Sequence, residues 1–153
     1  MSLSAQISIS VVSHESSAGD LSSTTRVTPA VYSSALTHGT GTDQAQVAWS
    51  DSRTIGGGGT DTLNLAALSD VRDGASATVT FTSTRAVYLK NKSATALVFS
   101  NAAFPAGGVT VQASGVATFI APVGTGCGVG TATVSGAVGA AYDIAIVGGG
   151  SVS

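Results

Sequence analysis

The sequence predicts an all-β protein, a jelly-roll-like β-sandwich of roughly ten short antiparallel strands. Three observations predict this class. Apolar residues alternate with polar residues in short runs, which is typical of strands that are buried on one side. Glycine-rich segments separate the runs, and no stretch has apolar residues at helical spacing with a charged opposite face.

The alternating runs follow one another at intervals of about 8–12 residues, as in sandwiches and barrels. The predicted strands lie within residues 7–11, 25–31, 46–49, 63–65, 78–82, 87–90, 97–99, 109–111, 116–120, 131–135 and 142–147. Glycine-rich segments such as 56–59, 124–130 and 148–150 are predicted to be connections. Pro29 falls inside one run, and because proline lacks an N–H, that run is predicted to be an edge strand or to be split.

The chain of 153 residues has the length of one domain. Residues 1–44 are richer in Ser and Thr and less regular, so they are predicted to form an irregular N-terminal arm or edge region. Residues 45–153 carry the regular alternation and are predicted to form the sandwich core. No linker long enough to divide the chain separates the two parts.

Composition excludes several classes of protein. Six Lys+Arg and eight Asp+Glu give a net charge of −2, whereas a protein that binds nucleic acid through phosphate contacts needs clustered cations. Hydrophobic residues reach 43% of the chain, which is unlike a disordered protein. No compact apolar 20-mer predicts a membrane helix, and the N-terminus lacks the basic residues of a secretory signal peptide.

The charged fraction is 9%, against about 25% in an ordinary soluble domain. The outward strand positions carry mostly Ser, Thr and Ala, although free-standing sandwiches protect their edges with charge, especially Lys. Interface cores are depleted in charge. The sequence therefore favours a subunit whose faces are covered by neighbours in an assembly; the alternative is an uncharged, Thr-rich extracellular domain that acts alone.

No residue pattern predicts catalysis, a metal site or a cofactor. The two histidines, His14 and His38, lie in the N-terminal region without a nucleophile motif. Cys127 is the only cysteine, so neither an intrachain disulfide nor a cysteine-based zinc site is possible. Most of the aspartates lie in turn contexts, where Asp usually bonds its own backbone, and Asp70 and Asp73 lack the spacing of a calcium loop.

Several side chains are candidates for contacts with other subunits. Residues 1–12 alternate like a strand and could pair with a neighbour's open edge. Trp49 is either a core residue or, with Arg53, an interface anchor, since Trp, Tyr and Arg dominate binding hot spots. Lys90 and Lys92 form the only cationic pair in the sequence. They are predicted to lie at a solvated strand end, and the alternative is an anion site. The candidate interface residues are Ile7, Ile9, Trp49, Arg53, Lys90, Lys92 and Phe104.

Five segments occur in an order that resembles a known group of proteins. They are Trp49-Ser-Asp-Ser-Arg53, Thr60-Asp-Thr-Leu-Asn-Leu-Ala-Ala-Leu68, Ala86-Val-Tyr-Leu-Lys-Asn-Lys-Ser93, Ala96-Leu-Val-Phe-Ser100 and Tyr142-Asp-Ile-Ala-Ile-Val-Gly148. This order resembles small β-rich structural proteins encoded among the virion genes of tailed bacteriophages. The resemblance covers roughly residues 47–148 and consists of strand and turn residues rather than a catalytic signature.

The resemblance implies a virion structural protein, and most specifically a capsid decoration (cement) protein. Such proteins bind the outside of the shell, often as trimers, and join neighbouring capsomers. The partners implied are the major capsid protein or other virion proteins and further copies of the chain, with neither nucleic acid nor membrane. The alternative is a β-sandwich module of a tail or fibre that binds a host-surface glycan. The resemblance brings no active-site residues, and residues 1–44 lie outside it.

Overall fold

A computed structural model describes residues 3–18, 23–72, 74–101, 108–121 and 129–153. The regular secondary structure within these residues consists of β-strands only. The prediction of an all-β protein is confirmed. The strands are β1 (Ala5–Ala18), β2 (Ser23–His38), β3 (Gln44–Ala45), β4 (Val47–Thr54), β5 (Thr60–Asn64), β6 (Leu68–Arg72), β7 (Ala75–Asn91), β8 (Leu97–Asn101), β9 (Val109–Val111), β10 (Val116–Ile120), β11 (Thr131–Ser135) and β12 (Ala141–Val152).

Nine of these strands form a sandwich, and eight of the nine, all but β6, have the strand order of a jelly roll. The first sheet has the order β10-β7-β12-β4, and β6 pairs with the start of β7. The second sheet has the order β5-β11-β8-β9. The chain crosses between the sheets after β4, β5, β7, β9, β10 and β11, and all pairings within the two sheets are antiparallel. The jelly-roll-like prediction is confirmed.

The core lies between the two sheets and follows from the alternation in the sequence. Along β12, Tyr142, Ile144 and Ile146 are almost fully buried, while the intervening residues are half-buried. Trp49 of the first sheet and Phe99 of the second belong to the same buried cluster. Because successive strand residues point to opposite faces, a period of two gives each strand one apolar face, and the two apolar faces bury each other.

Three strands of the first sheet, β6, β7 and β12, differ most from the prediction. The runs 78–82 and 87–90 belong to a single strand of 17 residues, β7. Strand β6 was not predicted, because its sequence, Leu68-Ser-Asp-Val-Arg72, has only two apolar residues, and they do not alternate. Residues 148–150 were predicted to be a connection, but they continue β12 past register shifts at Val147/Gly148 and Gly149/Gly150. These glycines allow the two strands to approach closely, since a Cβ on Gly148 would overlap the carbonyl oxygen of Ser83.

We therefore expect Gly148→Ala to lower the free energy of unfolding by about 3 kcal/mol or more, because the backbone of β7 would have to move away from β12. Gly57→Ala is the matched control, since a Cβ there meets nothing within 4 Å. Its effect should stay within about 0.5 kcal/mol. Denaturant-induced unfolding of both variants measures the difference, and equal effects would show that the contact with Ser83 does not constrain residue 148.

The N-terminal region is more regular than the predicted arm. Strands β1 and β2 form an antiparallel hairpin whose register runs without a shift from Ala5 opposite Leu36 to Ala18 opposite Ser23. Pro29 lies opposite Val12, in the part of β2 that pairs with β1 alone, which agrees with the edge-strand alternative. The alternation in β1 is clear only over its first residues, so the sequence did not show that the pairing extends this far.

Asn91, at the end of β7, is fully buried and fixes two neighbouring connections. Its amide donates to the carbonyl oxygens of Thr95, Val111 and Gln112 at 2.7–3.1 Å. Its side-chain oxygen accepts from the N–H and the hydroxyl of Ser93. The sequence Asn91-Lys-Ser93 has the pattern of an N-glycosylation site, but in the folded chain the Asn91 amide is inaccessible to modification.

Candidate interaction surface

One face of the β1–β2 hairpin is rich in apolar residues and becomes progressively more exposed along its length. Residues that lie directly opposite each other in an antiparallel pair share a face. This hairpin face consists of the pairs Ala5 and Leu36, Ile7 and Ser34, Ile9 and Tyr32, and Val11 and Ala30. Leu36 is 1% exposed, Tyr32 is 43% exposed and Val11 is 61% exposed. The described part of the chain therefore covers the base of the hairpin face and leaves its far half in solvent.

The hairpin carries no formal charge over the residues whose side chains are described. Neither 3–12 nor 30–38 contains Asp, Glu, Lys or Arg. Apolar groups are also exposed on the opposite face, where Val12 and Val31 are 51% and 67% exposed. Water can leave such a surface without the cost of removing an ion from solvent. Both faces of the hairpin thus suit contact with another polypeptide.

A groove of about 520 Å³ separates β1 from the outer face of the first sheet. Ile7 and Ile9 line it from the hairpin, and Tyr88 and Val116 line it from the sheet. Ala86 also lines this groove. Because it alternates with core residues, it points away from the core. It is nevertheless buried. The base of the hairpin therefore covers one end of the sheet's outer face, while Tyr88 and Val116 remain 37% and 55% exposed.

The other end of this outer face is polar. The Ser52 hydroxyl donates to Asp143 Oδ1 at 2.6 Å, and Lys92 Nζ lies 3.0 Å from the same oxygen. The hydrogen bond from Ser52 and, to a smaller extent, that from Lys92 hold the pKa of the Asp143 carboxyl below its usual value. Lys90 lies opposite Asp143 in the adjacent strand and is exposed. Exposed pairs of this kind add little to stability, so this cluster chiefly determines the polarity of the surface.

Arg53 lies at the boundary between the two sheets. Its Nε and Nη2 atoms donate to the two oxygens of Asp61 in β5, at 2.6 and 2.9 Å. The Tyr142 hydroxyl donates to Asp61 Oδ2 at 2.7 Å. The Arg53 hydrogen bonds lower the pKa of Asp61, whereas burial and then the bond to Asp61 raise the pKa of Tyr142. The ion pair thus links β4 of the first sheet to β5 of the second.

Asp61→Asn should lower the free energy of unfolding by about 1–3 kcal/mol at neutral pH, because Arg53 loses its bidentate partner. A carboxyl whose pKa is lower in the folded state adds stability above its unfolded value of about 4, and this stability disappears as the pH falls below that value. The advantage of the wild type should therefore shrink on acidification, as measured by chemical denaturation from pH 7 to pH 3.

Asp51→Asn is the control for this prediction. Asp51 Oδ2 accepts from Arg53 Nη1 at 3.1 Å, but the Asp51 side chain is 44% exposed, against 14% for Asp61. Its replacement should cost less than about 1 kcal/mol. A difference between wild type and Asp61→Asn that does not change between pH 7 and pH 3 would contradict the proposed role of the Asp61 charge.

The structure distributes the predicted interface residues over different environments. Ile7 and Ile9 lie together on the hairpin face and in the groove. Trp49 is a core residue, as the alternative held, and its indole N–H donates to the Ser69 carbonyl at 2.9 Å. Arg53 pairs with Asp61, Lys92 pairs with Asp143, and Lys90 is exposed. Phe104, Cys127 and Asp73 lie outside the described residues.

Tyr32, Tyr88 and Val116 are surface residues that the sequence alone does not reveal. The run 30–36 contains Val31 and Tyr32, both typical of strands, but only the register with β1 shows that Tyr32 and Ile9 share a face. Tyr88 and Val116 lie on different strands, and their common position on the groove depends on the pairing of β7 with β10. A single sequence does not contain these pairings.

Within the described residues, no three His, Cys, Asp or Glu side chains are close enough together to hold a metal ion. That part of the chain also contains no helix long and apolar enough to cross a membrane. Comparisons of the chain with protein-family models, with curated proteins and with solved structures find no match.

Proposed function

We propose that this chain is a structural subunit of a virion, most specifically a decoration protein that binds the outside of a tailed-bacteriophage capsid. The observation that carries the proposal is the uncharged, exposed half of the hairpin face. Jelly rolls are common in viral capsid proteins, but they also occur in lectins and enzymes, so the fold alone does not determine a function. The surface supports binding to protein.

The hairpin needs a partner for physical reasons. An isolated two-stranded hairpin is at best marginally stable in water. The base of this hairpin is covered within its own chain, but Val11 and Tyr32 extend beyond that cover. Burying each such side chain against a partner contributes about 1.5–3 kcal/mol. Binding through Val11 and Tyr32 would therefore stabilise the pairing of β1 with β2.

Binding of this kind would stabilise a shell by mass action. A protein that binds only the assembled lattice lowers the free energy of that lattice at each occupied site. A subunit that contacts more than one neighbour gains further avidity, because the second contact forms within the complex. The proposed partners are the major capsid protein or another virion protein, together with further copies of this chain. In this proposal the chain is a homo-oligomer, and the resemblance implies a trimer.

The proposal is tested by adding the purified protein to capsids of its phage that lack it. Val11→Ser combined with Tyr32→Ser should weaken binding about tenfold or more, because both side chains lie in the exposed half of the hairpin face. The measurements are capsid occupancy by gel densitometry and the temperature at which the shells disrupt. Bound wild-type protein should raise that temperature.

Val138→Ser is the control, since Val138 is 64% exposed but lies far from the hairpin in sequence, in the turn before β12. It should leave occupancy unchanged. The proposal fails if wild-type protein does not bind the capsid, or if the double variant and the control bind equally well.

The exposed ring of Tyr88 favours a second candidate, a tail or fibre module that binds a host-surface glycan. Tyr88 borders a shallow surface that also includes Ser50, Ser52 and Asp143. An aromatic ring beside hydroxyl and carboxylate groups is a suitable platform for a sugar, and lectins include jelly rolls. Specific binding on a glycan array that Tyr88→Ala abolishes, without binding to capsids, would favour this function over decoration.

A further inference from the structure

We propose that two copies of this chain join edge to edge through β1, around a twofold axis, so that their hairpins form one continuous antiparallel sheet. This pairing goes beyond the proposed function, because it requires no capsid. It assigns the free edge of β1 to a second copy of the same chain.

Strand β1 has an unprotected edge over its first eight residues, 5–12. In its sheet the order is β1-β2-β3, and within the described residues β1 pairs only with β2. The strand has 14 residues. Its first eight, residues 5–12, carry no charge and at about 3.4 Å per residue span about 27 Å. Glu15 lies nearer the end of the strand. Natural edge strands are usually protected by charge, proline or a bulge. Residues 3–12 contain neither charge nor proline, and the register of β1 has no shift.

The sequence of β1 is compatible with antiparallel pairing to a second copy of the same strand. Pairing around a twofold axis places residues near the axis beside their own copies, and like charges directly opposite each other are destabilising. Residues 5–12 of β1 carry no charge, so pairing through this segment avoids this cost. With the axis at Ser8, Ile7 pairs with Ile9 of the second copy, and Gln6 pairs with Ser10. The apolar residues of both strands then lie on one face and the polar residues on the other.

The edge that competes for β1 is the edge of β2 that faces away from β1. A ring of copies would require β1 of one chain to pair with the far edge of β2 in the next chain. Pro29 interrupts β2, because it has no N–H to donate, and Thr37 and His38 already pair with β3. The two β1 edges are therefore better partners for each other than for β2, and the geometry favours a closed twofold contact over a ring.

The pairing also supplies what the hairpin lacks. Three or more strands with an apolar face are needed for a sheet to be stable on its own. Two hairpins joined through β1 make four strands, and the twofold axis places both hairpin faces on the same side. Ile9 and Val11 of each copy then contribute to a single apolar surface that spans both hairpins.

The wild-type protein should therefore form dimers, or hexamers if a further contact of the sandwich produces the trimer that the resemblance implies. Light scattering after size exclusion, without any capsid, measures the oligomeric state. Ser8→Lys should weaken the dimer about fivefold or more, because it places two like charges beside the axis. Ser33→Lys is the matched control. Ser33 is exposed and lies opposite Ser8 on the same face, so it adds the same charge away from the pairing edge.

A mixing experiment distinguishes edge pairing from general loss of solubility or folding. Ser8→Lys and Ser8→Glu should each favour the monomer, whereas an equimolar mixture should restore the dimer through opposite charges. Hydrogen exchange at residues 5–12 should slow with protein concentration in the wild type. A wild-type monomer or a trimer alone would overturn the inference, as would equal effects of Ser8→Lys and Ser33→Lys. Capsid binding by such a protein would leave the proposed function intact.

Discussion

The pairing of β7 with β12 is the contact on which the rest of the jelly roll depends. It extends from Asn91 opposite Tyr142 to Val79 opposite Val152. Strand β4 is attached to this pair through β12, and β6 and β10 are attached through β7. Because all the strands of the first sheet depend on two central strands, the close approach at Gly148 sets the geometry of the sheet as well as the local bend.

This dependence explains which parts of the fold could be predicted from the sequence. Where one face of a strand packs into the core and the other meets solvent, alternation is visible, and the strands of the second sheet were predicted close to their observed positions. The end of β12 was not, because a run of glycines in one sequence is equally compatible with a turn and with two strands in close contact. The reason for the glycines lies in Ser83, which is distant in the sequence.

The candidate surface was predicted only in part, for a similar reason. Ile7 and Ile9 were recognised from the alternation of β1, but their exposure depends on where β1 lies relative to Ala86 and Tyr88. The chemistry of Trp49 and Arg53 suited an interface, yet both are used within the chain. Arg53 reaches Asp61 only because the two sheets pack face to face, and no local pattern predicts a contact between sheets. The position of Arg53 in the fold, rather than its residue type, therefore determines that it forms a structural ion pair and not an interface anchor.

The burial of Asn91 has a practical consequence for producing the protein. In the secretory pathway of a eukaryotic host, the sequence Asn91-Lys-Ser93 would be exposed to the glycosylation machinery before the chain folds. A glycan attached there would replace one of the two Asn91 amide hydrogens, which bond to backbone carbonyls, and would add a bulky group where no solvent enters. Material secreted from such cells would therefore fold poorly, whereas protein made in bacterial cytoplasm would avoid this modification.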